Sequence, residues 1–181
     1  MEKGGGETIE IIASPEGSTL DTFEWRVSMA RVASSGPFSL FPAIDRTLAV
    51  LTGSGIRLSI AERGEVLVSP DAAPVSFPGD VPVEASLVDG PVMDLNVMTR
   101  RGRYGHAMRR IRHTEEADVA QRGDITLMLL TGSDATARTN SAAIDAKDGD
   151  TIIVPGASEE AFLRVIPQGI LELYIIAIWR T

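Results

Sequence analysis

Leu51-Thr52-Gly53-Ser54 recurs as Leu130-Thr131-Gly132-Ser133, 79 positions further along the chain. Two more pairs follow in the same order: Pro78-Gly79 returns as Pro155-Gly156, and Gly90, which precedes an alternating apolar segment, returns as Gly169. One four-residue match carries little weight, but three ordered matches predict two copies of one β-rich unit. The duplication therefore decides the architecture before any chemistry is considered.

Short segments with period-two alternation surround these repeats. Clusters of Gly, Pro, Asp and Ser separate them at intervals of about 8–12 residues, which is typical of all-β proteins. The predicted strands are 25–32, 47–51, 56–61, 66–68, 75–77, 83–88 and 92–98 in the first half, and 125–130, 151–154, 161–165 and 170–179 in the second. Thr52-Gly53-Ser54-Gly55 predicts a hairpin turn, and the loop Ser34–Pro42 has room for one short turn of helix.

No segment has the pattern of a long amphipathic helix. The sequence therefore predicts an all-β protein of two tandem jelly-roll barrels packed together. The pattern restarts after Gly102-Arg103-Tyr104-Gly105, so we expect an N-terminal barrel over residues 8–104 and a smaller C-terminal barrel over residues 105–181.

The composition excludes several function classes. The chain has 181 residues, a net charge of −8 and no cysteine, so we expect neither nucleic acid nor an anionic membrane as a partner. Disulfides and thiolate chemistry are excluded, and a reducing cytoplasm is the expected location. Met1–Glu7 lacks the apolar core of a signal peptide, and the apolar run Leu173–Trp179 is too short to span a bilayer.

The unusual polar residues concentrate in the first copy. Alternation places Arg26 and Ser28 on one face of the strand Trp25–Val32, and Asp94 and Asn96 on one face of a later strand. Asp45-Arg46 precedes the strand 47–51. The corresponding strand of the second copy, Ile170–Ile175, is more apolar.

These residues allow two interpretations. An Arg-Ser-Asp-Arg-Asp-Asn set lining a barrel could bind a small carboxylated metabolite, with Arg on the carboxylate and Asp and Asn on amide or imidazole N–H groups. Alternatively, the same side chains form satisfied structural ion pairs at the sheet ends. Acid–base chemistry by Asp45 or Asp94 stays open, because burial can raise a carboxyl pKa.

Other kinds of site lack support in the sequence. The only histidines, His106 and His113, are too few for the metal centre of a jelly-roll barrel, no serine has a nucleophile-elbow context, and no glycine cluster fits a phosphate or dinucleotide loop. We therefore expect no metal, no cofactor and no catalytic triad. The basic stretch Arg100–His113 is interpreted as the connection between the units plus one solvated strand rather than an anion-binding patch.

Several blocks of the first half resemble the HutD/Ves family. They are Trp25-Arg26-Val27-Ser28-Met29-Ala30, Ser35-Gly36-Pro37-Phe38-Ser39-Leu40-Phe41-Pro42, Ile44-Asp45-Arg46-Thr47-Leu48, Leu51-Thr52-Gly53, Gly90-Pro91 and Asp94-Leu95-Asn96-Val97-Met98-Thr99-Arg100-Arg101. The resemblance implies a bicupin of the RmlC-like superfamily without the usual metal-binding histidines. Members of the family are linked to histidine utilisation or to environmental stress. No enzymatic activity is established for the family, so the resemblance does not imply one for this chain.

The resemblance implies a non-catalytic accessory or regulatory protein that binds a small anionic metabolite, such as an intermediate of histidine breakdown. The site residues expected from it and from the alternation are Arg26, Ser28, Phe38, Ser39, Asp45, Arg46, Asp94 and Asn96. Two alternatives stay open: a metal-independent cupin enzyme (isomerase, lyase or cyclase) acting on a small carboxylic acid, and a protein-interaction module. A homodimer is compatible with all three.

Overall fold

The computed structural model describes residues 7–139, 142–156 and 162–181. Within them the chain consists of β-strands joined by turns, without a helix. The loop Ser34–Pro42 accordingly has no helical turn; it contains a two-residue strand that pairs with a later one. The N-terminal segment 1–6 and Ala161, with which one predicted strand begins, lie outside the described residues.

Seventeen strands occur in the described part of the chain. They are β1 Thr8–Ser14, β2 Trp25–Val32, β3 Gly36–Pro37, β4 Ile44–Thr52, β5 Ile56–Ile60, β6 Gly64–Val68, β7 Val75–Pro78, β8 Val83–Leu87, β9 Val92–Arg100, β10 Tyr104–His113, β11 Ala117–Ala120, β12 Ile125–Thr131, β13 Ala135–Arg138, β14 Ala143–Ala146, β15 Thr151–Pro155, β16 Phe162–Pro167 and β17 Leu171–Arg180.

The chain divides into two compact units, Met1–Gly105 and His106–Thr181. The first unit contains two sheets, with strand orders β1-β2-β9-β4-β7 and β3-β8-β5-β6. If β2 to β9 are counted as strands one to eight, the two sheets have the orders 1-8-3-6 and 2-7-4-5, with β1 added at one edge. This alternation of strands between two antiparallel sheets is a jelly roll.

The second unit repeats this order. Its sheets are β10-β17-β12-β15 and β11-β16-β13-β14, which again read 1-8-3-6 and 2-7-4-5 when β10 to β17 are counted from one. The repeated segments occupy equivalent places: the Leu-Thr-Gly-Ser segments end β4 and β12, and Gly90 and Gly169 precede β9 and β17. The predicted all-β fold and its duplication are confirmed.

A shared close approach of the backbone explains the repeated glycines. Gly53 has φ +100°, and a Cβ built on it would lie 2.7 Å from the carbonyl oxygen of Pro91. Gly132 has φ +91°, and its Cβ would lie 2.8 Å from the carbonyl oxygen of Ile170. In both units the turn after the third strand meets the turn before the eighth so closely that only glycine fits.

The predicted hairpin at Thr52-Gly53-Ser54-Gly55 is wrong. β4 pairs with β7 and β9, whereas β5 pairs with β6 and β8 in the other sheet. The turn therefore crosses from one sheet to the other, because the jelly roll needs that crossing where a meander would have a hairpin.

Each unit has its apolar core between its two sheets. In the first unit this cluster includes Leu48, Val50, Leu58, Phe77 and Val92. In the second it is formed by residues such as Met128, Leu130, Val165, Leu173 and Ile175. A residue of β4 that shares the alternation of Leu48 and Val50 therefore faces the inside of the first unit.

Candidate functional site

The strand register brings five of the eight predicted site residues to one face. In the adjacent strands β2, β9 and β4, one row across the sheet is Arg26–Met98–Arg46 and the next is Ser28–Asn96–Leu48. The third row contains Ala30, Asp94 and Val50. Because Leu48 and Val50 belong to the core, the polar side chains of these rows face the inside of the first unit.

Arg46 is the centre of this cluster. Only 7 % of the residue is exposed. Its Nη2 donates a hydrogen bond to Oδ1 of Asn96 at 3.0 Å, and its Nη1 donates a longer one to the carbonyl oxygen of Ser39 at 3.4 Å. The Nε atom is buried and has no hydrogen-bond partner in the part of the chain that the structure describes. A guanidinium that leaves a donor unsatisfied in the interior has capacity for a further acceptor.

Three phenylalanine rings surround the Arg46 guanidinium. Its Cζ lies 5.2 Å from the ring centroid of Phe38, 5.5 Å from that of Phe41 and 5.3 Å from that of Phe77. Each contact lies within the range of cation–π attraction, worth about 0.5–2 kcal/mol depending on exposure. The rings hold the buried charge and also exclude water from it.

Asp94 is the buried carboxylate of the cluster, with 2 % exposure. It accepts a hydrogen bond from Nδ2 of Asn96 at 3.3 Å, so Asn96 connects Arg46 to Asp94. Burial raises the pKa of Asp94 to about 6, against the opposing effects of the Arg46 charge, the Asn96 hydrogen bond and a backbone hydrogen bond from Ala30. Burial likewise lowers the pKa of Arg46 to about 10, which the charge of Asp94 opposes.

Arg26 forms hydrogen bonds with two neighbouring side chains. Its Nε donates to Oε2 of Glu10 on β1 at 2.8 Å, and its Nη1 donates to Oγ of Ser28 at 2.9 Å. The carboxylate of Glu10 therefore neutralises the charge of Arg26, and the hydroxyl oxygen of Ser28 accepts a hydrogen bond from Arg26. Of the two arginines on this face, Arg46 is the one without an ion-pair partner in the described part of the chain.

Phe38 and Ser39 reach the cluster from the loop between β2 and β4. Strand β3 anchors this loop through pairing with β8, and Phe41 N–H donates to the Gly79 carbonyl oxygen at 2.8 Å. A pocket of about 350 Å³ lies beside the loop, lined by Phe38, Leu40 and other residues. Phe38 therefore contacts both this pocket and Arg46.

The structure does not bring Asp45 to the cluster. Asp45 alternates with Arg46 along β4 and therefore points to the opposite face. Its Oδ1 lies 2.8 Å from Nη2 of Arg101, at a half-exposed ion pair that Asp80 also joins. The remaining predicted residues, Arg26, Ser28, Phe38, Ser39, Arg46, Asp94 and Asn96, all lie in or beside the cluster.

Sequence reasoning missed Phe41, Phe77 and Glu10. Phe41 belongs to the same block as Phe38, and its ring could have been paired with it from spacing. Phe77 pairs with Arg46 across β7 and β4, a register that the sequence does not reveal. Glu10 lies on β1, whose alternation is too weak for strand prediction.

Equivalent positions in the second unit are less polar. Thr126 pairs with Ala177, Met128 with Ile175, and Leu130 with Leu173; these pairs correspond to Arg46–Met98, Leu48–Asn96 and Val50–Asp94 in the first unit. The extra residue in β4 is taken up by a bulge between Val50 and Thr52.

The described residues contain neither a metal-binding cluster nor a membrane-spanning helix. No group of three or more His, Cys, Asp or Glu side chains is placed to hold a metal ion. The same residues contain no helix with the length and apolar character needed to cross a membrane.

Two eight-stranded jelly rolls in one chain, one with a polar cluster on its inner face, define a protein of the cupin type. The chain belongs to the HutD family, whose model matches residues 2–171. Protein Ves of Citrobacter koseri is 42 % identical over 101 residues, 55 % of this chain and 51 % of that protein. The chain thus spans about half the length of this curated relative, and the resemblance to the HutD/Ves family is confirmed.

Several solved structures share the fold of this chain. A conserved protein of unknown function from Pseudomonas aeruginosa PAO1 has a TM-score of 0.88 at 24 % identity, over 97 % of this chain and 90 % of that one. HutD from Pseudomonas fluorescens SBW25, in its formate condition, has a TM-score of 0.80 at 25 % identity, over 98 % and 90 %. A cupin 2 conserved barrel domain protein from Leptotrichia buccalis shares the fold, with a TM-score of 0.62 at 9 % identity over 98 % and 91 %.

Proposed function

We propose that this protein is a non-catalytic accessory or regulatory protein that binds a small carboxylated metabolite at Arg46 of the first unit. The observation that carries the proposal is the buried guanidinium of Arg46, whose Nε has no hydrogen-bond partner among residues 7–139, 142–156 and 162–181. A carboxylate at this point would accept from Nε and compete with the 3.4 Å contact to Ser39. It would also neutralise a charge that burial disfavours.

The neighbours of Arg46 indicate the rest of the ligand. Asp94 and Asn96 lie on the adjacent strand and can accept from, or donate to, an amide or imidazole group. The rings of Phe38, Phe41 and Phe77 favour a flat group beside the guanidinium. Small acids with an imidazole or amide group, such as intermediates of histidine breakdown, combine these features. Membership of the HutD family supports this choice of ligand class.

Access to Arg46 requires the side chain of Phe38, in the loop between β2 and β4, to move. Phe38 contacts Arg46 and also lines the 350 Å³ pocket. A change in the Phe38 side chain would therefore join that pocket to the polar cluster without rearranging the sheets. We propose this as the entry route.

A thermal-shift panel tests the proposal. The panel contains histidine, urocanate, imidazolone propionate, formiminoglutamate, formylglutamate and glutamate, with chloride and acetate as simple anions. A ligand at 100 times its dissociation constant stabilises the folded state by about 2.7 kcal/mol, so one member should raise the melting temperature in a saturable manner. No selective shift by any member would contradict the proposed ligand class.

Matched variants assign the binding to Arg46. Arg46→Gln should abolish the shift, and Arg57→Gln, which removes a half-exposed arginine of the same unit, should leave it unchanged. If Arg46→Gln fails to fold, Arg46→Lys keeps the charge but lacks the bidentate fork, and it should weaken binding at least tenfold. Unchanged affinity in the folded Arg46 variants would refute the site.

A second candidate function, a metal-independent enzyme, is favoured by one observation. Burial raises the pKa of Asp94 to about 6, which suits a general acid or base near neutral pH. Prolonged incubation of the bound acid with the protein, followed by ¹H NMR of the acid, distinguishes the two functions. New resonances that disappear in Asp94→Asn would support the enzyme, and an unchanged acid would support simple binding.

The partners and location follow from the same proposal. A binding protein for metabolites of amino-acid breakdown acts in the cytoplasm, and the net charge of −8 disfavours nucleic acid and anionic membranes as partners. A homodimer is compatible with this function. Light scattering coupled to size-exclusion chromatography measures the mass in solution and tests that point directly.

A further inference from the structure

The second unit has smaller side chains at the position equivalent to Arg46 of the first unit. In the first unit, one row across the sheet consists of Met98, Arg46 and Phe77. The corresponding row in the second unit is Ala177, Thr126 and Val154. The second row has about eleven fewer side-chain heavy atoms, and since protein interiors are otherwise closely packed, such a difference leaves space.

A pocket of about 240 Å³ lies at this end of the second unit. Ile175 and Ala177 of β17 line it together with Ala107 and Met108 of β10. Ile175 belongs to the apolar core and is 4 % exposed, so the floor of the pocket is apolar. The volume is below the range of about 300–1,000 Å³ that is usual for drug-sized ligands, which indicates a smaller molecule.

Two arginines complete the lining. Arg109 extends from β10, and Arg122 lies in the turn before β12. Both are exposed, and neither guanidinium has a hydrogen bond or ion pair with the described residues. No carboxylate of the described residues lines the pocket, although the chain as a whole carries 25 acidic residues against 17 basic ones.

The surrounding arginines differ from this pair. On the same β10 strand, Arg110 and Arg112 contact Glu172 at 2.9 and 3.5 Å, and Arg164 of the same unit pairs with Glu116 and Asp118. Among the described residues, Arg109 and Arg122 are therefore two cations without counter-charge beside an apolar floor. That combination complements a molecule with an anionic end and an apolar end.

We propose that this pocket is a second ligand site, separate from Arg46, which takes a small amphiphilic carboxylate. Arg109 and Arg122 bind the carboxylate from the rim, and the apolar part of the ligand packs on Ile175 and Ala177. An aromatic or short aliphatic monocarboxylate has the required size and charge. Because the arginines are solvent-exposed, the apolar contact supplies most of the selectivity.

Chemical-shift mapping of the full chain by ¹H–¹⁵N NMR tests this site. Benzoate and hexanoate are the probes, acetate is the anion without an apolar group, and benzyl alcohol is the apolar group without charge. Benzoate or hexanoate should produce saturable shifts at the amides of Ala107 and Ala177, and acetate and benzyl alcohol should bind at least tenfold more weakly. Equal binding of acetate, or shifts confined to Asn96 and its neighbours in the first unit, would overturn the proposal.

Variants make the test specific. The double variant Arg109→Gln/Arg122→Gln should weaken benzoate binding at least tenfold, whereas Arg138→Gln, an exposed arginine of the same unit, should leave it unchanged. Ala177→Met introduces the residue that fills the equivalent position in the first unit and should abolish binding with both arginines in place. Full binding by the folded Ala177→Met variant or by the folded double variant would refute the site.

Discussion

Because its carboxyl is buried, Asp94 should make the stability of the first unit fall as the pH rises from about 4 to about 6. Burial raises the pKa of its carboxyl from 3.8 to about 6. A raised pKa means that the folded state holds the proton more tightly than the unfolded state does. The stabilisation is fully present below the unfolded pKa and is lost as the pH rises through the folded pKa.

The magnitude follows from the size of the shift. A change of one pKa unit corresponds to 1.36 kcal/mol, so the shift of Asp94 corresponds to at most about 3 kcal/mol. Asp94→Asn replaces the carboxyl with a neutral amide that can still accept from Asn96, and this variant does not titrate. The difference in unfolding free energy between variant and wild type should therefore change by up to about 3 kcal/mol between pH 3.5 and pH 7, in favour of the variant at the higher pH.

Urea unfolding followed by Trp25 fluorescence measures this difference in the unit concerned. Trp25 lies buried on β2, and a Trp179→Phe background in both proteins removes the other indole. Comparison of the two proteins cancels the titration of all other groups. A free-energy difference that stays constant from pH 3.5 to pH 7 would refute the assignment of Asp94 as a buried carboxyl with a raised pKa.

Three further predictions follow from the same geometry. Asp45→Ala should leave ligand affinity unchanged, because Asp45 faces Arg101 on the opposite side of the sheet; a tenfold loss by calorimetry would contradict this. Carboxylate binding should strengthen as the pH falls from 7 to 5, since protonation of Asp94 removes a negative charge beside the ligand; an affinity that is flat in this range would count against the site. Gly53→Ala should lower the unfolding free energy by several kcal/mol. Gly64 has φ +90° but no atom of the described residues within 4 Å of an added Cβ, so Gly64→Ala should cost only about 1–2 kcal/mol, and equal urea midpoints would disprove the backbone contact.

The duplication was predictable because the repeated segments contain glycines that no other residue can replace. Gly53 and Gly132 each lie against a carbonyl oxygen, so the same residue has to return in each copy. The sheet to which each strand belongs was harder to predict. The Gly-Ser-Gly turn after β4 has the composition of a hairpin, and only the complete topology shows that it joins two sheets. The basic stretch Arg100–His113 predicts a connection and one solvated strand, and β10 within it forms one edge of a sheet in the second unit.

The candidate site was predictable in part. Alternation correctly places Arg26 with Ser28, and Asp94 with Asn96, on one face. The same alternation puts Asp45 and Arg46 on opposite faces of β4, although both belong to the family-like block Ile44-Asp45-Arg46 and both were expected in the site. The three-ring environment of Arg46 depends on register between β4 and β7 and on the path of the loop, neither of which local sequence determines. The neutralisation of Arg26 by Glu10 likewise depends on a pairing between distant segments.

The central claim is that a carboxylate binds to the unpartnered Nε of Arg46. The most direct measurement is the ¹H–¹⁵N NMR signal of that Nε–H, identified by its absence in Arg46→Lys, during titration with urocanate and with formylglutamate. We expect one of these ligands to shift the Arg46 signal in a saturable manner and to slow its exchange with water. A signal that keeps its position and exchange rate at high concentrations of both ligands would contradict the account.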